Sequence, residues 1–182
     1  MLQSLKKGFP DYSTQQFILI DPAIQRLVLI ESGEVVDSWV ISTAEAGVGN
    51  HQGSHQTPLG VHRIKQVYGD GAPLGTIFKA RRNTGRIAEI LTERGACSNA
   101  DNITTRILWL DGLQPGVNRG GDVDSFERYI YIHGTDEEGR LGQPVSHGCI
   151  RMGNLDIINL YERVGIDTLV VIGDIQSSLP AK

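Results

Sequence analysis

A chain of 182 residues is long enough to bury one sizeable core and short for two independent ones, so a single domain over residues 1–182 is expected. Hydrophobic residues make up 40% and charged residues 21%, which excludes a disordered or fibrous protein. The formal net charge of −4, with Lys and Arg scattered along the chain, excludes a general attraction to phosphate backbones, and nucleic acid is not expected as a partner.

No run approaches the length of apolar sequence that a membrane-spanning helix needs. The first residues, Met1 to Pro10, lack the apolar centre of a secretory leader, and two cysteines are too few for a disulfide framework. These features favour a cytoplasmic setting. The alternative is a trimmed chain whose natural place is the periplasm or cell wall.

In chain order, strands rich in β-branched and aromatic residues are expected at 17–20, 26–30 and 35–41, with Gly33 turning a hairpin between the second and third. Residues 44–60, carrying His51, His55, Pro58 and several glycines, read as a long polar loop, and loops of this length are often functional. A strand resumes at 60–67. Within the Gly-rich, charged segment 68–127, the spacing of Ile87, Ile90 and Leu91 predicts a helical patch over 86–94 that stops at Gly95. A strand is expected at 103–110.

The last third predicts a strand at 129–133, then a polar stretch in which Asp136, Glu137 and Glu138 read as a solvated turn. A helix over 155–164 follows, with Ile157, Leu160, Tyr161 and Val164 in one apolar stripe, Asn154 as its cap and Gly165 as its stop. The closing strand is 168–172. Trp39, Trp109, Tyr129 and Tyr131 read as core or groove wall, and Cys97 as a small buried hydrophobe. The expected fold class is α+β, mainly β: two packed sheets, sandwich-like, flanked by the C-terminal helix and the helical patch.

The chemistry concentrates at Ser146-His147-Gly148-Cys149. A free thiol is mostly protonated at neutral pH, so a nucleophilic cysteine needs a base or an electropositive backbone feature beside it. Gly148 permits a tight turn, and the amides of Gly148 and Cys149 are candidate donors to an oxyanion. Two histidines are close in sequence. His147 is only two residues from Cys149, a spacing that does not readily turn the side chains toward each other. His133 ends an apolar strand able to deliver an imidazole from a neighbouring position, and a backbone carbonyl near Gly134 is the expected acceptor for its other ring nitrogen. A rival reading takes His51, His55 and His62 as zinc ligands of a hydrolase, but Gly49 and Gly53 interrupt any helix that would align the first two. No metal and no cofactor is assigned. A non-catalytic muropeptide-binding module is a weaker alternative still, because nucleophile, base and glycine are all present.

Taken together, His133-Gly134-Thr135, the twelve residues 134–145 and Ser146-His147-Gly148-Cys149-Ile150-Arg151-Met152 resemble the signature of the L,D-transpeptidase (YkuD-type) catalytic domain. Thr57-Pro58-Leu59-Gly60 resembles that family's segment leading into a strand, and the resemblance spans about 17–172; segment 68–127 departs from it as an insertion. The resemblance implies that Cys149 attacks the carbonyl between the L-centre of diaminopimelate and the terminal D-alanine of a murein tetrapeptide, leaving a thioester, with His133 as base. It also implies that Ser146 and His147 shape the substrate loop and that Arg151 meets a substrate carboxylate or braces the site. Water as acceptor gives an L,D-carboxypeptidase of murein recycling, which a cytoplasmic setting favours. An amine gives a 3,3 cross-link. A carbapenem is expected to acylate Cys149.

Overall fold

The computed structural model describes residues 2–98 and 100–173. Its elements run α1 (Leu2–Gly8), β1 (Gln16–Asp21), β2 (Arg26–Glu31), β3 (Glu34–Ser42), β4 (Gly60–Tyr68), β5 (Thr76–Lys79), β6 (Arg82–Ile87), β7 (Ile103–Gly112), β8 (Tyr131–Thr135), β9 (Ile150–Met152), α2 (Asn154–Arg163) and β10 (Leu169–Ile172). The α+β, mainly β class holds. Where two packed sheets were expected, the pairing joins ten strands into one mixed sheet in the order β4-β10-β1-β2-β3-β9-β8-β7-β5-β6. A further pairing of β4 with β7 closes the first eight into a ring, so opposite arcs face each other across a shared core.

The continuous apolar run of β1 has a physical reason, because both of its faces are covered. Ile18 and Ile20 point inward with Leu27, Leu29, Leu110, Ile132 and Ile150. Phe17 and Leu19 point outward into a second cluster, where Leu5 of α1 covers them together with Val28, Val61 and Leu169. Sequence reading gave no sign of α1. The helix α2 seals the central core with Ile157 and Leu160.

Asn154 is the first residue of α2 rather than the residue before it. Its N–H donates to Glu138 Oε1 at 2.7 Å, and its amide donates to Thr135 O at 2.7 Å. Glu138 therefore caps the helix across space, where the sequence suggested a solvated turn. Its neighbours depart further from that expectation, since Asp136 and Glu137 are each 2% exposed.

The helical patch at 86–94 is absent. Arg86 and Ile87 close β6, and the residues after them are held extended: Leu91 N–H donates to Asp136 O at 2.7 Å, and Gly139 N–H donates to Leu91 O at 2.8 Å. These bonds to the chain beyond β8 replace the intrahelical ones, and with Ile87 57% exposed the apolar stripe has no core to face. Cys97, expected to be buried, is exposed. Among the described residues no helix is long and apolar enough to cross a membrane.

Candidate active site

Parallel pairing of β8 with β9 sets Ile132 beside Ile150, His133 beside Arg151 and Gly134 beside Met152. Ile132, Ile150 and Met152 fill the central core. Because successive side chains alternate between faces, Tyr131, His133, Cys149 and Arg151 share the opposite face, with Cys149 one step ahead of its strand and diagonal to His133. Cys149 is half-buried and packs against Phe78, Ile107, Trp109 and Tyr131.

His133 is 2% exposed, and its Nδ1 lies 2.7 Å from Gly134 O, the carbonyl that the sequence suggested. A carbonyl only accepts, so Nδ1 carries the proton and Nε2 of the neutral ring keeps its lone pair. Gly134 is required by packing. A Cβ there would meet Thr104 O and Asn154 Oδ1, each at 2.8 Å.

Burial governs the charge states of both groups. It pushes the Cys149 thiol up to about 11 and the His133 imidazole down to about 4, so the resting pair is neutral thiol and neutral imidazole. The thiol donates to Tyr129 O at 3.4 Å. Tyr129 reaches this position with φ 57, a left-handed conformation rare for an aromatic residue, which is why the strand expected from 129 starts only at Tyr131.

The turn before Cys149 is built on Gly148 at φ 130. Ser146 is buried: its Oγ bonds Cys149 O and accepts from Gly148 N–H at 3.3 Å. Thr57 holds the turn from the other side, donating to Gly148 O at 3.0 Å while accepting from Ala44 N–H at 3.0 Å. This gives the Thr-Pro-Leu-Gly segment a structural purpose. His147 is largely exposed, and its Nδ1 pairs with Asp101 at 2.7 Å.

Arg151 is buried, with Nη1 2.9 Å from Glu137 and Nη2 against Asp101, so two carboxylates neutralise it. Burial opposes the charge on Glu137, but contacts from Cys97, the Ser98 amide, Arg140 and Arg151 draw its carboxyl down to about 2. Asp101 is likewise held below the usual carboxylate range, Arg151 and His147 outweighing its burial.

Sequence reasoning missed Asp101, Glu137 and also Arg128, whose guanidinium donates to Asn50 O at 2.8 Å, Gln56 O at 2.6 Å, Gly49 O and Ser54 Oγ, tying the 44–60 loop to the site. His147 stands between two open clefts. One of about 230 Å³ is bounded by His55, Arg128 and Tyr129, and one of about 250 Å³ by Cys97, Asp101 and Arg151. Among the described residues the histidines of the zinc reading do not converge. His51 pairs with Asp122 at the surface, while His62 is buried against Gly60 O and Ser125 Oγ. Among the described residues no three His, Cys, Asp or Glu side chains converge on a metal-sized position.

A cysteine and a histidine thus share one face of paired strands beside a glycine turn. The family model of YkuD, the L,D-transpeptidase catalytic domain, matches residues 15–172, and the chain belongs to this family. A protein of Bacillus subtilis (strain 168) named "Putative L,D-transpeptidase YqjB" is 41% identical over 56 residues, 30% of this chain and 32% of the relative. The crystal structure of the L,D-transpeptidase (residues 123-326) from Xylanimonas cellulosilytica DSM 15894 is similar with a TM-score of 0.55 at 20% identity, covering 93% of this chain and 67% of that one. L,D-transpeptidase 3 from Mycobacterium tuberculosis, in complex with a faropenem-derived adduct, gives a TM-score of 0.52 at 14% identity, covering 88% of this chain and 60% of that one. These structures share the fold. The match to the curated relative spans about a third of that protein's length.

Proposed function

We propose that this chain cleaves the bond between the L-centre of diaminopimelate and the terminal D-alanine of a murein tetrapeptide, through a thioester on Cys149. His133 Nε2 takes the thiol proton as sulfur attacks the carbonyl carbon, then passes it to the departing D-alanine amine. Water, deprotonated by the same imidazole, resolves the thioester to a free carboxylate. The amides of Gly148 and Cys149 are the proposed oxyanion donors, with Gly148 N–H exchanging its long 3.3 Å bond to Ser146 Oγ for the developing charge. Ser146 and His147 shape this loop, and Arg151 braces it.

The observation that carries the reading is the shared face of Cys149 and His133 on paired strands, with Nδ1 anchored so that Nε2 is the available base. With both groups neutral at rest, the thiolate forms by proton transfer to His133 during the reaction and is not the resting state. The clefts on either side of His147, about 230 and 250 Å³, offer places for the stem on both sides of the loop.

Mass spectrometry of a defined tetrapeptide incubated with the protein tests this. Release of D-alanine with accumulation of tripeptide is expected, and dimer formation without tripeptide would replace hydrolysis by 3,3 cross-linking. Incubation with a carbapenem should add its mass to the chain, and Cys149→Ala should remove that adduct.

A further inference from the structure

We infer that Arg81, at the tip of the β5–β6 hairpin, recognises a carboxylate of the peptide substrate and makes segment 68–127 the specificity element of the site. The inference rests on the reaction proposed above. Lys79 pairs with Arg82, so Ala80 and Arg81 alone form the turn, with φ 46 and 65. A two-residue turn with both φ values positive is ordinarily Asn-Gly or Asp-Gly, so Ala-Arg occupies a conformation that L side chains avoid.

That turn lays the Arg81 guanidinium over Trp109, 4.6 Å from its ring centre, and over Tyr129 at 5.3 Å. Its Nη1 donates to Tyr131 Oη at 3.1 Å. Both tyrosines adjoin the nucleophile: Tyr129 O accepts from the thiol, and Tyr131 packs in the cluster against which Cys149 lies. The cation therefore lies over side chains of the cluster against which Cys149 packs.

No carboxylate among the described residues bonds Arg81, in contrast to Arg151 with Glu137 and Asp101, Arg140 with Glu137, and Arg63 with Asp111 and Asp167. A guanidinium has five N–H donors, and one is committed to Tyr131. Aromatic faces hold a cation without neutralising it, leaving a planar fork suited to a carboxylate. The proposed stem offers two such groups near the cleaved bond: the side-chain carboxylate of the diamino acid and the C-terminal carboxylate of the leaving residue.

The test uses the full chain and three synthetic stems: the parent tetrapeptide, one with the diamino acid's side-chain carboxylate as carboxamide, and one with the C-terminal carboxylate as carboxamide. Release of D-alanine or its amide is followed for wild type, Arg81→Gln and Arg81→Lys. Arg81→Gln should raise KM for the parent by roughly ten- to a hundredfold with kcat little changed, and Arg81→Lys should recover part of it. One amidated stem should be insensitive to Arg81→Gln, which identifies the carboxylate. Equal loss on all three stems, or an unchanged KM, overturns the inference. If wild type turns over none of them, the proposed reaction fails independently. Calorimetric titration of the same stems into Cys149→Ala, with and without Arg81→Gln, then decides: weaker binding selective for one carboxylate supports the contact, and equal binding or none overturns it.

Discussion

His133 stands opposite Arg151 in the parallel register of β8 and β9, so a neutral imidazole and a guanidinium share one face. Arg151 disfavours a proton on His133 and Asp101 favours one, and with these charges opposed, burial sets the imidazole near 4. The acid limb of kcat/KM is therefore expected near pH 4. Below that value the ring is protonated and cannot accept the thiol proton; above it the ring is competent. A pH profile of D-alanine release checks this, and a limb near 6.5 would contradict the burial argument. Alkylation of Cys149 by iodoacetamide should keep rising toward pH 11 instead of levelling near neutrality.

Stability should fall as the solution is acidified from about pH 6.5 to 4. His62 and His133 both have folded values of about 4, against 6.5 unfolded, so the unfolded chain binds more protons across that window. The stability is fully present above the unfolded value and is lost as pH falls through the folded one, by roughly 3 kcal/mol per histidine. Glu137, at about 2, adds a further loss below pH 4.5. Urea titrations at pH 7, 5 and 4 should give a slope matching an uptake of about two protons on unfolding near pH 5. A flat profile there would show that both rings titrate normally, and half the slope that one of them does.

Arg151→Met leaves Glu137 with Arg140 as its guanidinium partner and removes a buried ion pair whose side chains are 3% and 2% exposed. A destabilisation of about 3–5 kcal/mol is expected. Asp101→Asn, at a carboxylate 39% exposed, should cost about 1 kcal/mol or less. Equal effects in chemical denaturation would mean that the cluster does not divide as its burial indicates.

Gly134→Ala should cost about 1–3 kcal/mol, since the added methyl meets the Thr104 carbonyl at 2.8 Å and that backbone is fixed in β7. Gly165→Ala, with nothing within 4 Å, serves as the near-neutral control. The comparison separates a packing requirement from the ordinary flexibility of glycine.

As candidates, Cys149, His133 and Gly148 stood out in the sequence because a thiol, a strand-end imidazole and a turn glycine leave local marks. The acceptor at Gly134 was legible too, being the carbonyl of the very next residue. Asp101 and Arg128 were not. Asp101 meets Arg151 across fifty positions and Arg128 meets Gln56 across seventy-two, contacts that the closure of the ring creates and no local pattern encodes. Glu137 was misread because three consecutive acids look solvated until Arg151 reaches it from fourteen residues on and Arg140 folds back from three. The spacing of Ile87, Ile90 and Leu91 satisfied a helical period, but backbone bonds to Asp136 and Gly139 outweighed a weak local preference.

Residues 128 and 129 work as the two arms of a crank. One arm grips the oxygens of residues 49–56, and the other offers its carbonyl to the sulfur from a backbone twist that only its surroundings maintain. The two contacts come from adjacent residues, so a shift of the 49–56 segment transmitted through Arg128 would disturb the carbonyl that holds the sulfhydryl. Loosening the grip with Arg128→Lys should then hasten alkylation of the unliganded protein, and an unaltered rate would uncouple the two arms.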